Sequence, residues 1–498
     1  MDHHMTTGFD NAAYIRLQTE EILKRVERFS HKLYLEFGGK LFDDYHAARV
    51  LPGFHVNGKI LLLEALKEKT EIVVCISAGD IEAGKVRADL GIPYDMDVLR
   101  LIDSIRGMGL YISSVVISRY ADQPAADMFK NKLERRGEKV YVHRTIKGYP
   151  MDADLVVSDR GYGSNPYIET TRPLVVVTAP GPGSGKMATC LSQLYHEHKR
   201  NIHAGYAKFE TFPIWNLPLN HPVNLAYEAA TADLNDVNAI DPYHLEAYGE
   251  TAVNYNRDIE VFPLVRNILA RIMGTGELYQ SPTDMGVNMA GFCITDDARV
   301  REAAKQEIVR RYFKTRCDYK EGLLGSGAVK KLEIIMKQLG LSPEDGPAVR
   351  PALEKSAQNG CPAMALILHD GRVITGKTTQ VLAAASTLVL NCVKQLAGLP
   401  DDIHLIAPHV LEPMMMLKEK ILLDKTPLLS LQEVLNALSI CAATDPCAER
   451  GLLQLKHLRG CQAHCSHMMS RADEGALKKL GVDVTCTPEF SSGNLYCG

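Results

Sequence analysis

The stretch Leu174–Cys190, LVVVTAPGPGSGKMATC, decides how the rest of the chain is read. Leu174 to Val177 is a short, continuous, largely β-branched run, the pattern of a strand buried on both faces. Three glycines, a serine and a lysine follow, and then a helical pattern carrying Leu191, Leu194 and Tyr195. Strand, glycine-rich turn, lysine and helix in that order make an anion-binding device. Glycines reach backbone conformations closed to other residues, and the free N–H groups and dipole of a helix start attract negative charge. The spelling departs from the G-x-x-x-x-G-K-[ST] phosphate loop at both ends, with Pro180 in place of the first glycine and Met187 in place of the hydroxyl. Gly181, Gly183, Ser184, Gly185 and Lys186 are the expected ligand-binding residues, and Thr189 offers a hydroxyl two residues late. The competing reading is a turn that only packs a helix on a sheet.

A second stretch, Gly371–Thr378, GRVITGKT, meets the full spelling. Its context is wrong. Asp370-Gly371 between the apolar runs Ala363–His369 and Arg372–Thr375 predicts a hairpin. A phosphate loop needs its middle backbone free to curl so that successive N–H groups point inward, whereas Val373 and Ile374 belong in a strand.

Around the first stretch, strand-like and helix-like patterns alternate. Glu71–Ser77, Ser114–Ser118, Lys139–His143, Asp154–Ser158 and Leu174–Thr178 read as buried strands. Asp97–Arg106 and Ala125–Arg136 read as helices between them. The alternation predicts an α/β fold whose N-terminal part is a doubly wound, mostly parallel sheet. Helical patterns at Phe262–Met273, Ala298–Phe313 and Leu323–Leu339 predict a helical middle region, and α/β texture returns after Pro347. The expected divisions are residues 1–203, 204–345 and 346–498.

In an open parallel sheet, ligands bind beyond the carboxyl ends of the strands. Asp80, Arg119, His143-Arg144 and Asp159 follow predicted strand ends, and Asp159 is the candidate metal-holding carboxylate. The patch Ser281–Asp297 adds Asp284, Asn288, Asp296 and Asp297, the last two read first as helix caps. Lys208, Glu210, His221 and Glu246 are further polar candidates that no spacing ranks. Lys186 and Asp284 are the expected catalytic pair, facing one cleft between the sheet and the middle region.

The chain has 498 residues, 46% hydrophobic and 23% charged, with a formal net charge of -4. That composition predicts a multidomain globular protein and gives no footprint for nucleic acid. The start lacks the apolar core of a signal peptide, and Val381–Val393 is too short and too polar at its end to span a bilayer. Twelve cysteines without a dense framework suit reduced thiols, so a cytoplasmic location is expected. No H-E-x-x-H occurs, and Cys447, Cys461, His464, Cys465 and His467 do not form a four-ligand spacing, so no zinc is expected.

The runs Ser158–Glu197, Ala204–Pro242 and Ser281–Asp297 resemble a bacterial family known as a domain of unknown function and as an uncharacterised protein family. The resemblance covers nearly the whole chain and implies a cytoplasmic protein with α/β regions at both ends and a helical insertion. Members are sometimes labelled ATP-dependent zinc proteases, but the zinc helix that label requires is absent here. Two functional expectations follow. One is an enzyme of phosphoryl transfer or ATP-assisted ligation that takes ATP or another nucleotide with Mg. The other is a binding or regulatory protein that senses a phosphorylated metabolite without turnover. Either takes a small phosphate-bearing ligand, with neither nucleic acid nor membrane as partner, and is compatible with a homo-oligomer.

Overall fold

The structure is a computed structural model that describes residues 7–29, 32–39, 41–87, 91–234, 236–425 and 427–492. The chain forms two compact units, Met1–Glu228 with Asn235–Ala304, and Ala229–Leu234 with Lys305–Gly498.

The first unit is built on a seven-stranded sheet. Its strands are β1 (Leu33–Phe37), β2 (Thr70–Ser77), β3 (Ile112–Tyr120), β4 (Val140–Arg144), β5 (Leu174–Thr178), β6 (Gly205–Phe209) and β7 (Gly286–Val287), in the order β7-β6-β1-β5-β2-β3-β4. Every neighbouring pair runs parallel. Val175, Val176 and Val177 are at most 1% exposed, so the run that opened the reading is a central strand covered on both faces. Each such side chain contributes roughly 1.5–3 kcal/mol through the apolar area it removes from water.

Helices α1 (Asn11–Arg28), α2 (Gly58–Ala65), α3 (Tyr94–Gly107), α4 (Pro124–Arg135), α5 (Lys186–Lys199) and α6 (Asn256–Met273) belong to this unit. Parallel strands need crossovers, and crossovers are right-handed, so the direction of travel along the sheet sets the face each helix covers. From β1 the chain moves past β5 to β2 and on to β3 and β4, whereas from β5 it moves back past β1 to β6 and on to β7. Paths therefore diverge at two places, between β5 and β2 and between β6 and β1. Such divergence opens a crevice at the carboxyl ends of the strands.

Register aligns the strands at their amino ends, because Leu174 pairs with both Leu33 and Thr70, and Leu33 pairs with Gly205. That end is closed by its own bonds. Glu71, 1% exposed, accepts the N–H groups of Thr171 and Arg172, both at 2.6 Å, and the Tyr34 hydroxyl donates to Glu197 at 2.6 Å. The carboxyl end carries the loops that matter below.

Most predicted strands and helices form. Asp154–Ser158 does not form a strand: Ala153–Val156 is a short helix, capped by the Asp152 side chain, which accepts from Leu155 N at 3.0 Å. Between the two sheets in sequence the chain is mainly helical, as in Asp297–Lys320 and Ser326–Gln338.

The second unit holds a mixed four-stranded sheet of β8 (Ala363–Ile367), β9 (Val373–Lys377), β10 (Gln462–Cys465) and β11 (Asp483–Cys486), in the order β9-β8-β10-β11. β8 pairs antiparallel with β9 and β10, and β10 parallel with β11. Met364, Leu366, Leu388, Leu431 and Leu477 are fully buried at its core. The hairpin expected at Asp370-Gly371 is present, with Gly371 at φ +83°. Among the described residues no helix is long and apolar enough to cross a membrane.

Candidate functional site

The loop after β5 leads directly into α5. Gly183 and Gly185 take φ +74° and +83°, left-handed values that favour glycine. Gly185 caps the helix, and its carbonyl accepts the first helical bond from Thr189 N at 3.0 Å. The N–H groups of Lys186, Met187 and Ala188 thus have no acceptor within the helix. Ser184 holds the turn from inside: its hydroxyl donates to Gly181 O at 2.7 Å, and its own carbonyl accepts from Ser118 Oγ at 2.7 Å. A side chain at Gly181 would collide with the Tyr94 hydroxyl, and one at Gly185 would meet Ser118 Oγ at 2.6 Å. The loop therefore seats on β3 and α3 across the β5/β2 crevice. Lys186 is half-buried, and its ammonium has no bonded partner among the described residues.

Along the same edge, the β6/β1 crevice is lined by charge. Glu36 on β1 and Lys208 on β6 are register partners, which places their side chains on one face. Lys208 Nζ donates to both Asp258 oxygens, at 2.7 and 2.9 Å, and pairs with Glu210 at 2.7 Å. Burial disfavours the Lys208 ammonium, but the charges of Asp258, Glu210 and Glu36 outweigh it and hold the pKa above the ordinary lysine range. Burial pushes Glu210 up to about 7, Lys208 opposes that rise, and Asp258 and Glu36 add to it. Glu36 is 7% exposed and accepts the Tyr206 hydroxyl at 2.8 Å through Oε2, while Oε1 accepts nothing among the described residues.

The two crevices lie close together. Lys59 on α2 donates to Gly38 O at 2.9 Å and faces Asp44 at 3.6 Å. Burial lowers its pKa, Asp44 and Glu210 counter this, and the charge of Lys186 lowers it further. The buried Cys75 thiol, pushed up to about 12 by burial, feels the charges of both Lys186 and Glu36. Arg119, at the end of β3, adds an exposed cation on a left-handed backbone, φ +52°, uncommon for a residue other than glycine.

The structure does not bring the other expected residues to this edge. Asp159 accepts the Tyr195 hydroxyl at 2.7 Å and pairs with Lys199 at 3.0 Å. Those partners lie in the last turns of α5, roughly 15–20 Å along the helix from Lys186, so Asp159 does not reach a metal at the loop. Thr189 is 1% exposed, and the Cys75 thiol donates to its hydroxyl at 3.6 Å, so it packs on β2 and does not complete the loop. Asp284 closes a capping box with Ser281: its carboxylate accepts from Gln280 N at 2.8 Å, Ser281 N at 3.2 Å and the Tyr248 hydroxyl at 2.9 Å. It precedes edge strand β7, three strand spacings or roughly 14 Å from β5, and its carboxylate is taken up by the capping box.

The remaining polar candidates have structural work. Asp296 caps its helix by accepting from Arg299 N at 3.0 Å, and Asp297 pairs with His221 at 2.9 Å and Arg301 at 2.6 Å. Asn288 ties down Thr211 O and Pro213 O, each at 3.0 Å, and Glu246 is exposed. Lys377 Nζ donates to Asn359 at 2.7 Å from within β9. Among the described residues no group of three or more His, Cys, Asp and Glu could hold a metal. A hollow of about 290 Å³ on α6, lined by Tyr243, Phe262, Pro263 and Arg266, offers no reacting group. Sequence reasoning named Lys208 and Glu210 without ranking them, and missed Glu36, Lys59 and Asp258. For Glu36 the signal passed over was a charged residue inside an otherwise buried strand run.

These features define a doubly wound α/β protein with a glycine-rich loop at the carboxyl edge of its sheet. The chain belongs to the family described as Domain of unknown function DUF1846: its N-terminal model matches residues 7–340 and its C-terminal model residues 344–496. Similar proteins include a UPF0371 protein of Clostridium botulinum (strain Alaska E43 / Type E3), 56% identical over 99% of both chains. A UPF0371 protein of Clostridioides difficile (strain 630) is 55% identical over 99% of this chain and 100% of its own.

Proposed function

We propose that the first unit binds a phosphate-bearing small molecule at the carboxyl edge of its sheet, with the phosphate in the Gly181–Lys186 loop. One convergence carries the reading: three N–H groups free at the start of α5 and an unpaired lysine meet at a turn whose glycines are sterically required. A nucleotide is the first ligand class to test, and phosphoryl transfer or ATP-assisted ligation the reaction class. Neither Asp159 nor Thr189 supports the metal of a Mg-nucleotide there, so recognition rests on the loop backbone and Lys186.

Calorimetric titration with inorganic phosphate, ADP and ATP tests this. Saturable binding is expected, weakened about tenfold or more in Lys186→Ala, the worth of one charge-assisted hydrogen bond. Lys377→Ala should leave it unchanged. Equal losses in the two variants, or a loss only at Lys377, would remove the assignment. Following nucleotide loss over time then separates an enzyme from a sensor that binds without turnover.

A further inference from the structure

Lys186 and Glu36 are two charges at this edge that partners among the described residues leave incomplete. Lys208 is held by Asp258 and Glu210, and Lys59 faces Asp44 and donates to Gly38 O. Glu36 is more than nine-tenths buried, yet one of its carboxylate oxygens has no donor among the described residues. That oxygen is not closed off by protein, so it is an acceptor that a ligand can reach. Its position is fixed. Glu36 stands on β1, next to β5, and the buried thiol of Cys190, one turn into α5, is pushed up by burial first and then by the charge of Glu36, with Lys186 acting in the opposite sense. The unfilled acceptor thus lies near the carboxyl end of β1, beside the strand that feeds the loop.

A carboxylate accepts hydrogen bonds and favours a donor over a second acceptor beside it. Glu36, Asp44, Glu210 and Asp258 stand in this crevice with Lys59 and Lys208, Lys186 acts on Lys59, and burial first and then Asp258 and Glu36 raise the affinity of Glu210 for its proton. Glu36 Oε1 is open to a hydrogen-bond donor supplied by a ligand. Resting on the phosphate reading of the loop, we infer that Glu36 is a specificity residue that accepts a hydroxyl or ammonium group of the ligand. The substrate class is then a phosphate ester with a donor group a few bonds from its phosphorus, as in polyol, sugar or amino-alcohol phosphates and in the ribose of a nucleotide. Hydroxyl and ammonium share the chemistry of donation to a carboxylate, and the experiment distinguishes them.

The test is competition between four probes on the full chain: inorganic phosphate, methyl phosphate, glycerol phosphate and phosphoethanolamine. Methyl phosphate carries the ester without a donor, glycerol phosphate adds hydroxyls, and phosphoethanolamine adds an ammonium. The expected result is that at least one donor-bearing ester binds about tenfold tighter than methyl phosphate, the scale of a hydrogen bond to a charged group. Glu36→Gln keeps the shape and an acceptor for Tyr206 but removes the charge, so the preference for a donor-bearing ester, read as its ratio to methyl phosphate within the same variant, should fall. An ammonium preference would fall further in this variant than a hydroxyl preference. If neither donor-bearing ester exceeds methyl phosphate on the unmodified chain, the inference is wrong, and that comparison needs no variant to fold. A preference undiminished in Glu36→Gln, in protein shown by its melting curve to be folded, is equally fatal. Failure of inorganic phosphate to bind at all would instead bring down the loop assignment, and this inference with it.

Discussion

Glu36 and Lys208 stand directly opposite each other on neighbouring parallel strands, yet each bonds elsewhere: Lys208 turns to Asp258 and Glu210, and Glu36 to Tyr206. A buried lysine shared by two carboxylates leaves the weaker acid of the set poorly stabilised when ionised. That acid is Glu210.

Glu210 therefore predicts a pH-dependent stability. Its ordinary value is 4.5 and its folded value about 7, so between these the folded chain keeps a proton that the unfolded chain has released. Stability from this group is present at low pH and is lost as pH rises through the folded value, on the order of 3 kcal/mol in full. Burial, Asp258 and Glu36 drive the shift, and Lys208 opposes it; Lys59, Tyr227 and Tyr255 also face the carboxyl. Relative to the unmodified protein, Glu210→Gln should gain stability between about pH 5 and about pH 8. Urea unfolding at the two values measures it, and a difference that does not change with pH would show that Glu210 is not the titrating group.

Asp284 and Asp159 should affect stability and not phosphate binding. Asp284→Ala removes the carboxylate that closes its capping box and costs about 1 kcal/mol. Asp159→Ala removes an exposed, solvent-screened pair with Lys199, so its effect on stability should be small. Thermal melts and phosphate titrations on both variants decide the matter. Loss of phosphate affinity in either would mean that the residue acts at the loop after all.

The legibility of the sequence was uneven for physical reasons. Val175 to Val177 announced a central strand because β-branched residues buried on both faces leave an uninterrupted run. Leu155-Val156-Val157 gave the same signal and is helical, since so short a run carries no period and Asp152 caps it locally. β1, LYLEF, went unread because Glu36 interrupts its apolar run. Asp258 was illegible for another reason: it meets Lys208 from fifty residues away, and only the packing of α6 brings them together. The full phosphate-loop spelling at Gly371–Thr378 proved to be a hairpin, so local backbone context outweighed the letters.

Acid should destabilise both units through buried neutral histidines. His143, against Pro166 O at 3.3 Å, and His464, between Thr485 at 2.7 Å and Thr487 at 3.0 Å, are each lowered to about 4 by burial, with His196 adding slightly for His143. In the unfolded chain they titrate near 6.5, so stability is full above that value and is lost as pH falls toward 4. The loss is about 3 kcal/mol per histidine at most. Unfolding free energies measured across this range should flatten in His143→Gln and His464→Gln. Unchanged slopes in both variants would place the acid sensitivity elsewhere.

The glycines of the loop give the sharpest test of its geometry. Gly183 and Gly185 both have left-handed backbones, but a side chain at Gly183 meets nothing within 4 Å, whereas one at Gly185 meets Ser118 Oγ at 2.6 Å and Ser118 Cβ at 2.8 Å. Gly183→Ala thus carries backbone strain alone, about 1–2 kcal/mol. Gly185→Ala adds a collision that pushes the loop off β3, disturbs the bond from Ser118 to Ser184 O, and moves the first turn of α5 from the phosphate position. Gly185→Ala should therefore lose more stability than Gly183→Ala and weaken phosphate binding by about tenfold or more, since each displaced donor to an anion is worth roughly 1.5–3 kcal/mol. Ser118→Gly removes both atoms the new methyl would strike, so in the Gly185→Ala background it should restore part of the binding, read as a coupling in a double-mutant cycle. Equal effects at Gly183 and Gly185, or no recovery in the double variant, would show that contact with β3 does not hold the loop in its binding shape.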